Sequence, residues 1–470
     1  MPEQDFFKSF QPAVSIIEKY LQNNSFIRLV THNDADGLSS GGLLAVLALR
    51  NNARFKISSE KKLDDKLLAR LKEEHSDLVI FSDFGSGYLD IIADSLKQDV
   101  IVLDHHLPMD FEADNITHIN PMLHEIDGAR DIAASGVCYF LAKAMDPENT
   151  DLAVLGLLGA LGDQQDKGER KSLIGLNKII EKDAEDKHLL EKHVGLIFYG
   201  YETRPIAKAI AYTTIPYIPG LSGNEGNCVA FLRQIGIEIL DGERMRALAD
   251  LSAEEKTKLF SSLSSHMISS GCDSSAIHQL IGTIYTFKLE EPSTPLRSGR
   301  EYGSLLNACG RMGKQGVGLS VAMGDRFAAM DEAQETLEEY RRTISQALDW
   351  VEMNDKVEEM DNIYVIRAED QVNDTVIGVI SGILLSQGIL KKMPIVATAY
   401  TDDDQLKIST RGIEELVQKG LHMGIIMQKA AEQVDGGGGG HDIAAGAYIP
   451  RNRESAFLEE VNRLVAEALA

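Results

Sequence analysis

Three short apolar runs near the start of the chain end in acids and histidines, and this repeated ending constrains the fold more than any other feature. The runs are "FIRLV", "DLVIFS" and "DVIVL", and they lead into "THNDADG", "DFGSG" and "DHH". Helical sequence such as "GGLLAVLALRNN" separates them. Continuous apolar strands that alternate with helices predict an α/β fold, with a parallel sheet covered on both faces.

In such a sheet, ligands gather at the carboxyl ends of the strands. A further acid in "VLGLLGALGDQQD" follows an apolar helix that ends at Gly162. Taken singly, each polar residue has an ordinary explanation as a turn former or a helix cap. Together they would concentrate negative charge at one edge, where carboxylates repel unless cations lie between them. The residues are His32, Asp34, Asp36, Asp83, Asp104, His105, His106 and Asp163.

Six of these residues offer four carboxylates and two imidazoles, and we predict that they form a dinuclear metal centre. This donor set suits two Mn²⁺ or Mg²⁺ ions with one carboxylate bridging them. A structural zinc site fits less well, because no cysteine takes part. The six predicted ligands are His32, Asp34, Asp36, Asp83, His105 and Asp163.

Composition narrows the class of protein. A chain of 470 residues with 44% hydrophobic and 25% charged residues is typical of a soluble globular protein of roughly two to four domains. The net charge of -25 argues against a protein that coats DNA non-specifically, although bound cations can hold phosphates in a local cleft. The scattered cysteines, the start without signal-peptide features and the lack of a spanning apolar run predict a cytoplasmic protein without membrane contact.

The ordered motifs "HNDADG", "SDFGSG", "LDHH" and "LGALGDQQD" resemble the four motifs of the DHH phosphoesterase superfamily. The later "DGGGGGHDIAAGA" resembles the glycine-histidine motif of the DHH-associated domain, and "EYGSLLNACGRMGKQGVGLSVAMGD" resembles the archaeal RecJ-like exonucleases, some known as GINS-associated nucleases. The resemblance implies a parallel-sheet DHH catalytic domain, a smaller α/β DHH-associated domain and an active cleft between them. It also implies a nuclease that shortens single-stranded nucleic acid with Mn²⁺ or Mg²⁺.

The resemblance further implies roles for the individual residues. His32 and Asp34 would hold one metal ion, Asp36, His105 and Asp163 would hold the second, and Asp83 would bridge the two. Asp104 would orient His105, and His106 would face the scissile phosphate. The catalytic set would then be Asp36, Asp83, Asp104, His105 and His106.

Pro and Ser gather in "LEEPSTPLRSG" (Leu289 to Gly299), which we predict to be a linker. The predicted domains are residues 1–200 for catalysis, 201–295 for an intermediate helical module and 296–470 for substrate binding. A long helix is predicted from Met330 to Met353, followed by strands in "NIYVIRAED", "MPIVATAY" and "QLKISTRG".

Five glycines, Gly436 to Gly440, stand before His441 and the helix-like "DIAAGA". Such a run is usually a flexible linker, but between ordered-looking segments its open backbone favours a phosphate grip. The resemblance implies that the grip and the strand-end Arg411 hold the terminal nucleotide. Asn307 and Arg311 would either contact substrate or pack the domains together. The predicted substrate-binding residues are His106, Asn307, Arg311, Arg411, Gly438, Gly439, Gly440 and His441.

Three functions remain in competition. The leading one is a single-strand exonuclease, for DNA and possibly RNA, that releases mononucleotides during DNA replication or repair. The second keeps the metals but acts on short oligoribonucleotides, phosphoadenosine phosphate or a cyclic dinucleotide. The third is a replisome subunit that binds the GINS complex and is mainly structural. The full ligand set favours an enzyme, and the residue types allow either exonuclease polarity.

Overall fold

The structure is a computed structural model that describes residues 2–213, 216–272, 274–353, 355–386, 393–401 and 404–470. It divides into two compact units, Met1–Leu337 and Glu338–Ala470. Among the helices of the described residues, none is both long and apolar enough to cross a membrane. The three predicted domain limits, and the predicted cleft between the domains, stay predictions.

The first unit is built on a five-stranded sheet in the order β2-β1-β3-β4-β5, with every neighbouring pair parallel. The predicted parallel sheet is therefore confirmed. Strands β2 and β5 were not among the predicted strands, because their sequences "RFKISSE" and "ITHI" lack a continuous apolar run. The strands are β1 (Phe26–His32), β2 (Arg54–Glu60), β3 (Leu78–Ser82), β4 (Asp99–Leu103) and β5 (Ile116–Ile119).

Seven helices accompany this sheet. They are α1 (Pro2–Gln22), α2 (Ala35–Arg50), α3 (Asp65–Glu73), α4 (Leu89–Ser95), α5 (Ala134–Met145), α6 (Ala153–Gly162) and α7 (Asn177–Asp186). Helices α2, α5 and α6 pack against one another, and α2 and α5 also contact the sheet. Because α6 is composed only of apolar residues and glycine, it lies almost wholly buried and ends at Gly162, directly before Asp163.

The segment after α7 has a hydrophobic core of its own, which runs from Leu196 to Ile284 in the sequence. The strand at the beginning of this segment and the strand at its end pair with each other in an antiparallel arrangement. Helix α10 begins with a capping box in which Ser252 and Glu255 bond each other's backbone N–H groups. The elements are β6 (Leu190–Leu196), α8 (Ile206–Ala211), α9 (Glu225–Gln234), β7 (Leu240–Asp241), β8 (Arg244–Met245), α10 (Ala253–Ser269), α11 (Ser274–His278) and β9 (Ile281–Phe287).

Three further helices follow: α12 (Gly299–Arg311), α13 (Gln315–Ala322) and α14 (Ala328–Met353). Helix α12 packs on α2 and α6 of the first unit, whereas we predicted from the sequence that its residues belong to the substrate-binding domain. Its glycines allow this close packing. The predicted linker joins β9 to α12 within the same unit, and an Arg326–Glu290 ion pair ties its first residues down. The predicted long helix is present as α14, and the division between the units falls inside it.

The second unit contains a mixed six-stranded sheet in the order β10-β11-β12-β13-β15-β14. The three predicted strands are confirmed, but the helix-like "DIAAGA" is wrong, because its residues enter β15 and pair with β13 and β14. The strands are β10 (Val357–Glu359), β11 (Tyr364–Arg367), β12 (Ile395–Tyr400), β13 (Gln405–Arg411), β14 (Gly437–Gly440) and β15 (Ala444–Pro450). The helices are α15 (Ile377–Ser386), α16 (Glu414–Val417), α17 (Met423–Glu432) and α18 (Glu454–Leu469).

Candidate metal centre and substrate-binding residues

The turn between β1 and α2 brings His32 and Asp34 together. Asp34 caps α2, since its Oδ1 accepts the backbone N–H of Gly37 at 3.0 Å. Its Oδ2 lies 2.9 Å from Nδ1 of His32. A Cβ on Gly37 would stand 2.3 Å from the carbonyl oxygen of His32, so the turn requires glycine there. The cap therefore leaves one carboxylate oxygen and one imidazole nitrogen facing each other.

Asp83 follows β3 and occupies the centre of the site. Its side chain is 1% exposed, with Oδ2 3.3 Å from Nδ1 of His32 and Oδ1 3.3 Å from Nε2 of His105. Among the described residues, no donor with hydrogen-bond geometry reaches either carboxylate oxygen. A buried carboxylate without hydrogen bonds is costly, and a cation between its neighbours would remove that cost. The surroundings of Asp83 thus fit a divalent metal.

His105 lies among three carboxylates. Besides Asp83, its Nε2 is 3.6 Å from Oδ2 of Asp36 and 3.6 Å from Oδ2 of Asp163. The other ring nitrogen, Nδ1, lies 2.5 Å from the carbonyl oxygen of Gly128 and donates to it in the neutral ring. This bond fixes the tautomer that presents the Nε2 lone pair to a metal, as is common for ligating histidines.

Asp36 is held by the amino end of α5. Its two oxygens accept the backbone N–H groups of Ala134 at 2.7 Å and Ser135 at 2.9 Å. These are helix-terminal N–H groups without an intrahelical partner, and Ala133 at the N-cap offers no side-chain acceptor. A Cβ on Gly159 would lie 2.0 Å from Oδ1 of Asp36, so α6 needs glycine to admit this carboxylate.

Asp104 orients His106, and the predicted role of Asp104 in orienting the His105 ring is wrong. Its Oδ1 accepts the backbone N–H groups of both histidines and lies 2.8 Å from Nδ1 of His106. Its Oδ2 accepts the N–H of Ser86 at 2.9 Å. Adjacent side chains at a strand end point in different directions, so one carboxylate reaches only one of the two rings.

A small polar network behind His106 has no counterpart in the sequence predictions. Asn120 donates to the carbonyl oxygen of His106 and to Oγ of Ser86, both at 2.8 Å. Oγ of Ser86 lies 2.8 Å from Nε2 of His118. Ser86 stood in the quoted motif "SDFGSG", whereas nothing in the local sequence distinguishes His118 and Asn120. The network fixes the backbone of His106 and leaves its ring 39% exposed.

The structure brings all six predicted metal ligands together. They form groups whose donor atoms lie within 4.8 Å of one another, and Asp83 and His105 each belong to two of them. His106 joins a third group with Asp83 and His105, so its ring offers a further donor atom at the candidate metal centre. The role of each residue as a ligand stays a proposal. The groups are His32–Asp34–Asp83, Asp36–His105–Asp163 and Asp83–His105–His106.

The crowding of charge in this site shifts several pKa values. Burial and then the charge of Asp83 raise the pKa of Asp36 to about 7. Burial and the neighbouring Asp36 raise the pKa of Asp163 well above its usual range. Burial favours neutral His32, but the carboxylates of Asp34 and Asp83 outweigh it and raise the pKa of that imidazole well above its usual value. Protons therefore occupy the site near neutral pH and compete with cations.

We expect this competition to appear in the stability of the protein. Without metal, the folded state keeps on Asp36 a proton that the unfolded chain releases near pH 4, so the free energy of unfolding falls between about pH 4 and pH 7. The raised pKa values of His32 and His105 continue that fall above about pH 6.5. Mn²⁺ replaces these protons, so the increase in Tm on adding Mn²⁺ should be larger at about pH 8 than at about pH 5.5. Thermal unfolding in EDTA and in MnCl₂ at both pH values measures it, and equal increases would contradict the expectation.

In the second unit, the structure places Arg411 and the glycine-histidine motif at one end of the sheet. Arg411 ends β13 and pairs in register with Ala444 of β15, whose next residue pairs with Gly440 of β14. The backbone N–H of His441 donates to the carbonyl oxygen of Ala444 at 2.9 Å. Arg411, Gly440 and His441 thus lie at the same end of the sheet, and their role in holding a nucleotide stays a prediction.

Four of the five glycines in the run form strand β14, so the run is not a flexible linker. A Cβ on Gly438 would lie 2.6 Å from the carbonyl oxygen of Met427, and Gly440 has a positive φ of 134°. In contrast, a Cβ on Gly437 or Gly439 would meet no described atom within 4 Å. Packing and backbone conformation explain Gly438 and Gly440, whereas Gly437 and Gly439 leave backbone open to a ligand.

Asn307 and Arg311 lie on α12 in the first unit. The side-chain oxygen of Asn307 accepts the backbone N–H of Ala35 at 3.1 Å, beside the proposed metal ligands. Arg311 is the last residue of α12 and is partly exposed. The structure therefore places Asn307 next to the candidate metal centre, and Arg311 one turn further along the same helix.

Solved structures with the same fold include RecJ and CDC45 proteins. RecJ from Thermus thermophilus in complex with Mn²⁺ has a TM-score of 0.57 at 16% identity and matches 98% of this chain, which spans 55% of that RecJ. Exonuclease RecJ bound to manganese has a TM-score of 0.55 at 16% identity, covering 97% of this chain and 94% of the other. CDC45 from Entamoeba histolytica has a TM-score of 0.66 at 12% identity, covering 98% and 99%. At these identities, the likeness shows the fold alone.

Sequence comparison assigns the same class. Residues 26–160 match the DHH family N-terminal domain, residues 198–281 the DHH-CID domain and residues 361–467 the DHHA1 domain. An uncharacterised protein of Methanocaldococcus jannaschii is 32% identical over 461 residues, which cover 97% of this chain and 96% of that protein. The chain belongs to the DHH superfamily, and it shares its fold with the RecJ and CDC45 structures.

Proposed function

We propose that this protein is a divalent-metal-dependent phosphodiesterase that removes mononucleotides from one end of single-stranded DNA or RNA, in DNA replication or repair. The observation that carries the proposal is the pair of His/Asp groups joined through Asp83, with the exposed ring of His106 beside them. Carboxylates and imidazoles without cysteine suit Mn²⁺ or Mg²⁺. The solved RecJ structures that share the fold contain these same ions.

In this proposal, the six His and Asp side chains hold two cations. His32 and Asp34 would hold one, Asp36, His105 and Asp163 the other, and Asp83 both. Bound divalent cations supply an activated water nucleophile and neutralise the charge that develops on the phosphoryl oxygens. Asp36 accepts two backbone N–H groups, and Nδ1 of His105 donates to a backbone carbonyl oxygen, so these two ligands are oriented before any cation binds.

His106 would contact the scissile phosphate. Burial opposes the ionised form of Asp104, but His106, His105 and the N–H of Ser86 outweigh it and hold the pKa of Asp104 below its usual range. The ionised carboxylate keeps a proton on Nδ1 of His106, so Nε2 is the nitrogen that substrate can reach. The exposed ring of His106 is therefore placed to contact a phosphate oxygen of the substrate.

The second unit would hold the terminal nucleotide. Arg411 supplies a planar guanidinium suited to phosphate, and the open backbone of Gly439 lets a ligand approach closely. Gly438, Gly440 and His441 complete this proposed terminal grip, and Arg311 is the proposed substrate contact of the first unit.

A second candidate function is a replisome subunit that binds GINS and has a mainly structural role. The likeness of the whole chain to CDC45 favours it. The complete donor set around Asp83 favours catalysis instead, because a purely structural subunit has no need of a buried carboxylate without hydrogen bonds. Binding of GINS and cleavage of strands are compatible with each other.

Digestion of end-labelled strands tests the proposal. We expect Mn²⁺ to support stepwise release of mononucleotides from one end of single-stranded DNA or RNA, with EDTA abolishing the release. Strands labelled at the 5′ or the 3′ end give the polarity. Turnover restricted to dinucleotides, cyclic dinucleotides or phosphoadenosine phosphate would transfer the function to small substrates. No turnover of any substrate with Mn²⁺ or Mg²⁺ would favour the structural role, which binding to purified GINS then tests.

A further inference from the structure

We infer that Asn307 is a positioning residue whose amide oxygen holds the turn that carries Asp34 and Asp36, and so sets the affinity of the site for divalent cations. The inference rests on the proposed function in that it takes these acids as metal ligands. It assigns Asn307 to the metal centre and removes it from the predicted substrate contacts.

Two hydrogen bonds join α12 to this turn across a long stretch of sequence. Oδ1 of Asn307 accepts the backbone N–H of Ala35 at 3.1 Å, and Nδ2 of Asn33 donates to the carbonyl oxygen of Gly310 at 3.2 Å. The partners are 272 and 277 residues apart. Ala35 stands between the two acids in the sequence. A shift of its backbone N–H would therefore shift the backbone that carries both carboxylates.

The face of α12 that makes these contacts is built for close approach. Gly303, Asn307 and Gly310 are spaced by four and three residues and lie on one side of the helix. A Cβ on Gly310 would lie 1.6 Å from the carbonyl oxygen of Asn33, and a Cβ on Gly303 would lie 3.2 Å from Cα of Gly162. Helix α12 therefore supports the segments that precede Asp34 and Asp163 at the same time.

The bond from Ala35 frees the carboxylate of Asp34. Ala35 is the first residue of α2, so its N–H has no acceptor within the helix. Asp34 already accepts from Gly37 through Oδ1, and its Oδ2 faces His32. Since Asn307 satisfies the Ala35 N–H from outside, Oδ2 is not drawn back to the helix end and stays available to a cation.

The test separates cation binding from strand binding. Asn307→Ala removes the acceptor, and Asn307→Asp restores an acceptor oxygen at the same place. Ser304→Ala is the matched control on α12, because Oγ of Ser304 donates to the carbonyl oxygen of Arg300 within the helix. Calorimetric titration with Mn²⁺, without nucleic acid and in about 0.5 M salt to screen the added charge, gives the cation affinity. Binding of a labelled single strand in EDTA gives the strand affinity.

We expect Asn307→Ala to weaken Mn²⁺ binding by about tenfold to a hundredfold, the range typical for residues that orient metal ligands. Asn307→Asp should recover most of that loss, Ser304→Ala should bind Mn²⁺ as the wild type does, and strand affinity in EDTA should be unchanged in all three variants. This pattern is expected whether or not the protein cleaves strands.

Wild-type Mn²⁺ affinity in a folded Asn307→Ala protein would overturn the inference, and so would an Asn307→Asp protein that binds Mn²⁺ no better than Asn307→Ala. Reduced strand affinity with intact Mn²⁺ affinity would return Asn307 to the substrate contacts. If Asn307→Ala fails to fold, Asn307→Asp decides alone, because it must then bind Mn²⁺ close to the wild-type level. Absence of Mn²⁺ binding in the wild type would instead overturn the proposed function.

Discussion

Asp83→Asn is expected to abolish metal-dependent cleavage while leaving the fold intact. The carboxylate of Asp83 lies 3.3 Å from His32 and 3.3 Å from His105, one proposed ligand of each cation, so loss of its charge should weaken both proposed cation positions at once. Metal ions contribute several kcal/mol to phosphoryl-transfer catalysis, and about 4 kcal/mol corresponds to roughly a thousandfold in rate. Initial rates on an end-labelled strand, with Mn²⁺ varied up to saturation, measure the loss.

Asparagine is the right replacement because of the backbone at Asp83. Its φ is 65°, a left-handed conformation that asparagine tolerates and that costs most other residues about 1–2 kcal/mol. Asp83→Ala should therefore be less stable than Asp83→Asn without metal. Asp355→Asn is the matched control, since Asp355 is exposed and has a φ of 48°.

The stability of the variants distinguishes a lost ligand from a damaged fold. The increase in Tm on adding Mn²⁺ should shrink in Asp83→Asn and persist in Asp355→Asn, because a ligand stabilises only the state that binds it. Mn²⁺-dependent cleavage near the wild-type rate in a folded Asp83→Asn protein would rule out a bridging role for Asp83.

The residues of the metal centre could be predicted from the sequence, because each acid directly follows a strand or helix with an obvious apolar run. In a parallel sheet, consecutive strand ends share one edge, so one-dimensional order already implies that Asp34, Asp83 and His105 meet. Asp163 follows the break in an apolar helix at Gly162 and joins them. These residues are fixed by elements whose periodicity is strong.

The hydrogen-bond partners of the ligands could not be predicted from the sequence, because they are backbone groups brought close by packing between distant segments. Asp36 is held by N–H groups of Ala134 and Ser135, about a hundred residues away, and any residue type supplies a backbone N–H. Likewise, the carbonyl oxygen of Gly128 orients His105. The choice of Asp104 between two adjacent histidines is a matter of side-chain direction, which the sequence "LDHH" does not contain.

The second unit illustrates a different limit. The alanines in "DIAAGA" favour a helix. Pairing of this segment with β13 and β14 overrides that weak preference. The four glycines of β14 serve two purposes, which only the strand alternation separates. Gly438 lies against Met427, whereas Gly439 faces open space.

Arg411→Ala is expected to weaken binding of a single strand by about tenfold to a hundredfold and to leave Mn²⁺ binding unchanged. Loss of one charge-assisted contact to phosphate costs about 1.5–3 kcal/mol. His441→Ala should behave in the same way, because the two residues lie at the same end of the sheet. The loss appears in KM if the contact is equally strong in the transition state, and kcat falls as well if it aligns the scissile phosphate.

Lys407→Ala is the matched control for Arg411→Ala. Lys407 lies on the same side of β13, four residues and about 13 Å from Arg411, and contacts Tyr448. It loses the same charge but should keep strand affinity within about twofold at 0.15 M salt, where charges that far apart are largely screened. Equal losses in Lys407→Ala and Arg411→Ala would show a general effect of charge and no specific grip.

The glycines of β14 supply the sharpest form of this test. Gly439→Val should fold, since valine suits a strand and its side chain meets open space, yet it should obstruct a ligand that approaches the backbone beside His441. Gly437→Val places the same side chain on the same side of β14, about 7 Å further from His441, and should affect binding less. If both valine variants bind strands and Mn²⁺ as the wild type does, no nucleotide lies against β14, and the terminal grip must be sought elsewhere in the chain.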